Sequence, residues 1–234
     1  MTLASKSAEG KSNEIPAVQE LLQQMDIAGC LVVADALNCQ RETAKVIVSG
    51  KGDYLLSVKE NQPSLMQDIR DYVQDEALRS GMSAQSIREK SRERIEKRTA
   101  FVTQDIDWLP QKAQWDHLAC IGAIHTEFQT KAGKNSQWHY YISSRPLSAQ
   151  SLLHHARMEW AVESMHWLLD VHFEEDYLRV ANKTIQENLN LLRKFALGMI
   201  KQYKSKTTPK RAFSKLMFDC LLDPNMILRV LSQN

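Results

Sequence analysis

Glu159, Glu163, His166 and Asp170 recur at spacings of four, three and four residues within Arg157-Met-Glu-Trp-Ala-Val-Glu-Ser-Met-His-Trp-Leu-Leu-Asp170. On an α-helix, at about 100° per residue, these side chains fall within about 60° of one another. Trp160 and Trp167 border the row on one side, and Val162, Met165 and Leu169 on the other. Bulky apolar groups on both shoulders draw such a row inward, where a carboxylate is costly unless paired, protonated or bound to a metal. The pattern therefore predicts compensated acids. Either at least one of them holds a catalytic metal, or Arg157, Arg179 or Arg193 completes a structural ion-pair network. Four ligands on one helix cannot surround a tetrahedral ion, which argues against zinc.

A second acid is placed for chemistry. Asp35 closes Cys30-Leu-Val-Val-Ala-Asp35, a continuous apolar run with the character of a strand covered on both faces. In α/β sheets ligands bind outside the carboxyl ends of strands. An Asp at that point equally starts turns and caps helices. Asp35 with one acid of the row would make a two-carboxylate site. Mg²⁺ is commonly held by one or two carboxylates, water and phosphate oxygens. A pair of such ions can activate a hydroxyl and stabilise the departing oxygen in phosphoryl transfer.

Two basic segments could meet phosphates. Arg88-Glu-Lys-Ser-Arg-Glu-Arg-Ile-Glu-Lys-Arg98 is interleaved with glutamates, which favours a solvated face. Lys201-Gln-Tyr-Lys-Ser-Lys-Thr-Thr-Pro-Lys-Arg211 contains no acid and is the better electrostatic candidate, with a solvated linker as the alternative. After Tyr54–Lys59, the amides of Glu60-Asn-Gln-Pro63 could hydrogen-bond a backbone or a substrate. Trp108, Trp115 and Trp138 read as core.

The positioning elements follow from periodicity. A helix is predicted near 14–25, capped by Ser12 or Asn13, with Val18, Leu21, Leu22 and Met25 as its apolar stripe. The Cys30–Asp35 strand, a helix over 40–49 and a second covered strand at Tyr54–Val58 form a βαβ unit, hence a parallel pair. Pro63 opens a helix to about residue 79. Ser80 to Arg98 reads as polar and mobile. Strands are expected at Thr99–Thr103, His117–Glu127 and Trp138–Ser143, the last two joined by a hairpin loop over Lys131–Asn135. Helices follow at about 148–170, 184–203 and 210–221.

Composition sets outer bounds. The 234 residues are 43% apolar and 25% charged, enough for a sizeable core, and the net charge of +2 gives no global polybasic character. The four cysteines lack metal or disulfide spacing and read as reduced thiols of a cytoplasmic protein. No apolar run approaches bilayer length, and no signal-peptide core stands at the start.

Taken in order, these segments resemble the H-repeat-associated branch of bacterial insertion-sequence transposases, across nearly the whole chain. Lys11–Leu22 is similar to that family's entry helix, and Val33-Ala-Asp-Ala-Leu-Asn-Cys-Gln40 to the segment with its second catalytic Asp. Gly52–Pro63, Arg94–Arg98 and Tyr140–Ser144 are further landmarks. Trp160-Ala-Val-Glu163 through Asp170, then Glu175-Asp176, resembles the block with the catalytic Glu.

The resemblance implies an RNase-H-like mixed α/β sheet with flanking helices and an antiparallel β insertion, its first strands missing here. Asp35 and Glu163 become catalytic acids that hold Mg²⁺ or Mn²⁺. Double-stranded DNA is the expected partner, with a homodimer possible and no membrane. Candidate DNA contacts are Lys59, Asn61, Arg94, Arg98, Arg157, Lys201, Lys204, Lys206, Lys210 and Arg211. The expected divisions are a disordered stub at 1–12, core at 13–79, a β-rich insertion with a basic loop at 80–146, core again at 147–203, and a basic linker with terminal helix at 204–234.

Three departures bear on activity. The family's first Asp lies upstream of the segment where this chain starts, and no Asp stands between Met1 and Met25. Glu159 occupies a place where relatives usually carry His. Ser91-Arg-Glu-Arg94 replaces a His-Gly-Arg-like stretch, and Ser164 replaces Asn. The expectation is a transposase fragment with little strand transfer alone. A non-catalytic DNA-binding remnant, a pseudogene product and a purely hydrolytic nuclease are the alternatives.

Overall fold

Two apolar runs, Leu31–Ala34 (β1) and Asp53–Val58 (β2), pair in parallel, with Leu31 opposite Asp53 and Ala34 opposite Leu56. Between them lies the helix Arg41–Ser49 (α2), so the expected βαβ unit is present. The computed structural model describes residues 14–90, 95–130, 133–174, 177 and 182–232, the side chains of residues 90, 130, 161–163 and 183 excepted. These residues form two compact units, one ending at Ala161 and the other starting at Val162.

The first unit is built on a six-stranded sheet in the order β1-β2-β6-β5-β4-β3. Its other elements are α1 (Glu14–Gln24), α3 (Pro63–Gln74), α4 (Glu76–Ser80), β3 (Ser83–Lys90), β4 (Ile95–Thr103), β5 (Cys120–Thr130), β6 (Gly133–Ser143) and the start of α5 (Ala149–Phe173). All pairs except β1–β2 are antiparallel. β6 pairs directly with β2, so the antiparallel insertion continues the sheet instead of forming a separate layer.

Both sheet faces are covered near β2. Ile47 of α2 and Leu65, Ile69 and Val73 of α3 pack with Tyr54, Leu56, Ile121 and Ile142. On the opposite face Leu152, Leu153 and Ala156 of α5 pack with Leu55, Ala100, Val102, Ile124 and Tyr141. Alternate residues of each strand serve the two cores, as the period of two requires.

Several expectations need correction. β1 is not covered on both faces: each of its residues is half-buried, and β1 lies at the sheet edge among the described residues. The helix expected to reach residue 79 breaks at Asp75, whose ψ of 121° is extended and whose carboxylate caps α4 through Ala77 N and Leu78 N. Ser80–Arg98, read as polar and mobile, contains β3 and the start of β4, and its residues 91–94 lie outside the described residues. Ser86 and Thr99 share a hydroxyl hydrogen bond of 2.9 Å across that pair. β5 begins at Cys120, since His117 sits in a turn with φ of 55°. β6 begins at Gly133, within the expected loop. The capping residues Ser12 and Asn13, and residues 131–132, lie outside the described residues.

The second unit holds the end of α5, α6 (Lys183–Thr207), α7 (Phe213–Leu222) and α8 (Pro224–Ser232), the last not foreseen from sequence. Its core gathers Ile200, Tyr203, Leu216, Met226 and Val230. Among the described residues no helix is long and apolar enough to cross a membrane.

Candidate functional site

Asp35 follows β1 directly and is exposed at the carboxyl rim of the parallel pair. Its Oδ1 accepts from the Asn38 backbone N–H at 3.3 Å and from Asn38 Nδ2 at 3.1 Å, a turn-forming use of the side chain. Oδ2 makes no hydrogen bond among the described residues. An exposed carboxylate with one oxygen unengaged fits the few-carboxylate, water-rich way in which Mg²⁺ is bound.

The loop after β1 is fastened to the loop after β2. Asn61 Nδ2 donates to the carbonyls of Ala36 and Cys39, and Gln62 Nε2 donates to Cys39 O at 2.9 Å. The amides flagged as backbone or substrate donors thus hold the protein's own backbone, just beyond Asp35. The Cys39 thiol beneath this clamp is fully buried, and burial, then the Asp35 charge, pushes its pKa up to about 12. Lys59, at the same rim, is exposed and makes no ion pair among the described residues.

The acidic row on α5 is not uniformly inward. Glu159 is half-buried and adds to the upward shift of the Tyr141 phenol, which burial dominates. His166 is exposed, Asp170 half-buried, and Trp167, expected on a covered shoulder, is 58% exposed. Apolar residues lie all round this helix, so periodicity alone could not say which stripe is covered. Glu163 stands on α5, with its side chain outside the described residues.

Arg98 and Arg157 are engaged within the protein. Glu89 and Glu96 face each other across β3 and β4, a like-charge pair that would repel. Arg98 bridges them, with Nη1 2.8 Å from Glu89 and Nη2 paired to Glu96, while Arg157 of α5 pairs with Glu89. Arg98 also lies over the Trp160 ring, 4.9 Å from its centroid. The Arg157 hydrogen bond, above all, holds the Glu89 carboxyl below the ordinary glutamate range. Sequence reading missed Glu89 as the hub because β3 itself was unseen.

In the second unit Lys204 Nζ donates to Pro209 O at 2.6 Å, and Arg211 pairs with Asp219 of α7, an acid outside the basic stretch. Burial lowers the pKa of Lys201, Lys206 has interactions of its own, and Lys210 is exposed. Arg94, Arg179, Glu175 and Asp176 lie outside the described residues. Among the described residues no three or more His, Cys, Asp or Glu side chains gather as a metal cluster.

Comparison with known proteins adds an independent line. Residues 3–199 match the family described as Transposase DDE domain. The chain is 30% identical over 210 residues to YncI of Escherichia coli O157:H7, named as a presumed transposase, covering 87% of this chain and 54% of that protein. It is 29% identical to YhhI of Escherichia coli K12, an H repeat-associated protein named in the same way, over 99% of this chain and 62% of that one. YbfD of the same strain, likewise H repeat-associated, is 42% identical over 65 residues, 28% of this chain and 26% of its own. The chain thus spans about half to three-fifths of the length of YncI and YhhI.

Proposed function

Because the chain belongs to the transposase DDE domain family, we propose that it supplies two acids and part of the DNA-binding surface for movement of an insertion sequence. In that reaction water attacks a phosphodiester at the element end and its P–O3′ bond breaks. The freed 3′-hydroxyl then attacks a target phosphorus, whose own P–O3′ bond breaks to release the target strand's 3′-hydroxyl. Asp35 and Glu163 are the residues that hold a divalent cation, Mg²⁺ or Mn²⁺. When bound, the ion supplies charge stabilisation at the phosphoryl centre and eases deprotonation of the attacking oxygen.

The observation that carries this reading is the rim carboxylate itself. Asp35 is exposed at the end of a parallel strand, with its loop tied down by Asn61 and Gln62. The clamp limits the entropy lost when Asp35 meets an ion and a phosphate, which is the benefit of a rigid supporting shell. Lys59 at the same rim, with Lys201, Lys206 and Lys210 in the second unit, is proposed to contact DNA phosphates. The partner is double-stranded DNA, the setting the cytoplasm, and a homodimer the proposed assembly.

The test is duplex binding at constant ionic strength in Mg²⁺ and in EDTA. A cation shared between acids and phosphate tightens wild-type binding several-fold in Mg²⁺. Asp35→Asn and Glu163→Gln each remove that increment. Equal affinity with and without Mg²⁺ in the wild-type chain overturns the reading.

A further inference from the structure

The far half of the sheet has two faces with opposite electrostatic characters. On the face towards α5, the repelling pair Glu89 and Glu96 is neutralised by Arg98 and Arg157. On the other face Arg88 stands directly opposite Lys97, again a like-charge pair. Here compensation is incomplete. Lys97 meets Glu127 at 3.2 Å, whereas Arg88 and Lys134 make no ion pair among the described residues.

These residues line one open cleft of about 660 Å³, together with Gln129 and Ser136, which the register puts on the same face. Three cations against one carboxylate leave the lining at a net +2, with His125 neutral. A cross-strand repulsion left standing is relieved by any anion that enters between the two cations. The Gln129 amide and the Ser136 hydroxyl add neutral donors suited to phosphate oxygens.

We propose that this outer face of β3–β6 is a docking surface for the phosphodiester backbone of duplex DNA, with Arg88, Lys97 and Lys134 as its cations. The proposal rests on the transposase reading and adds where part of the duplex lies. From β3 to β6 is three strand spacings, about 14 Å, against a major-groove width of about 12 Å. Arg88 and Lys134 can therefore reach phosphates on either side of one groove. Lys97, paired with Glu127, lies on a strand between them.

The test uses the full 234-residue chain and a labelled random-sequence duplex of about 24 base pairs, long enough for several phosphate contacts, in EDTA so that no divalent ion contributes. Arg88→Ala/Lys134→Ala alters two exposed side chains without described ion pairs, so its thermal melt should match wild type. Each phosphate contact contributes about 0.9 to the slope of log affinity against log salt, so the double variant should lower that slope by about 1.8. Its affinity at low salt should fall at least about tenfold. Restoring charge with Arg88→Lys/Lys134→Arg should recover both quantities. Wild-type binding with an unchanged slope and affinity in the alanine variant overturns the docking face while leaving the family reading intact. No duplex binding by the wild-type chain, even in Mg²⁺, overturns both.

Discussion

Leu152→Ala should destabilise the first unit by about 2–5 kcal/mol, the range for a fully buried leucine truncated in a packed core. Leu152 is 1% exposed and lies at the centre of the contact between α5 and the sheet. The strand beneath carries Gly122, where an added Cβ would come within 2.6 Å of Leu152 Cδ2 and 3.3 Å of Phe101 O. Helix and sheet approach closely here because one partner has no side chain. The pair should therefore be coupled. Gly122→Ala alone should overpack the contact by about 1–3 kcal/mol, and Gly122→Ala/Leu152→Ala should cost less than the sum of its parts. Urea unfolding followed by tryptophan fluorescence reads chiefly this unit, since four of the five tryptophans (Trp108, Trp115, Trp138 and Trp160) lie in it, and a Trp167→Phe background removes the fifth. A cost for Leu152→Ala below about 1 kcal/mol would show that α5 is not anchored through this contact.

Arg98→Ala is expected to act mainly on stability, at about 2–3 kcal/mol, although its charge made it a candidate DNA contact. Its side chain is 16% exposed and bonds Glu96, at 11%, as well as Glu89, at 37%. Breaking a buried pair costs about 3–5 kcal/mol. Partial exposure of Glu89 screens part of this, and Glu96 keeps other interactions. The lost stacking of the guanidinium on Trp160 adds a little at such a site. The salt slope of duplex binding should stay at the wild-type value for the folded fraction, in contrast to Arg88→Ala/Lys134→Ala. A slope lower by about 0.9, with unchanged stability, would make Arg98 a phosphate contact instead.

The elements legible in the sequence were those whose stability is local or strongly patterned. β2 reads as a continuous apolar run and is buried from Tyr54 to Val58. α2, α5 and α6 follow helical spacing, and Asp35 was placed at a strand end from the run before it. β3 was not legible because Ser83-Ala-Gln-Ser-Ile-Arg-Glu-Lys90 has little apolar alternation. It is held by partners on β4, such as Thr99 for Ser86 and Arg98 for Glu89. The acidic row shows a different limit. Projection says which α5 residues share a stripe, but not what covers that stripe, and Trp167 proved largely exposed. The Asn61 and Gln62 amides were recognisable as donors, yet only the fold shows that their acceptors are Ala36 and Cys39.

The central claim is that Asp35 and Glu163 bind one and the same divalent ion. Mn²⁺ titration of the wild-type chain, Asp35→Asn, Glu163→Gln and the double variant, followed by electron paramagnetic resonance, tests it most directly. Asp35→Asn keeps an oxygen for the Asn38 hydrogen bonds, so the loop should persist while the charge is lost. A shared ion predicts that each single variant weakens binding at least about tenfold and that the double variant is little worse than either, a strong departure from additivity. Full additivity, or wild-type affinity in either single variant, would contradict the claim.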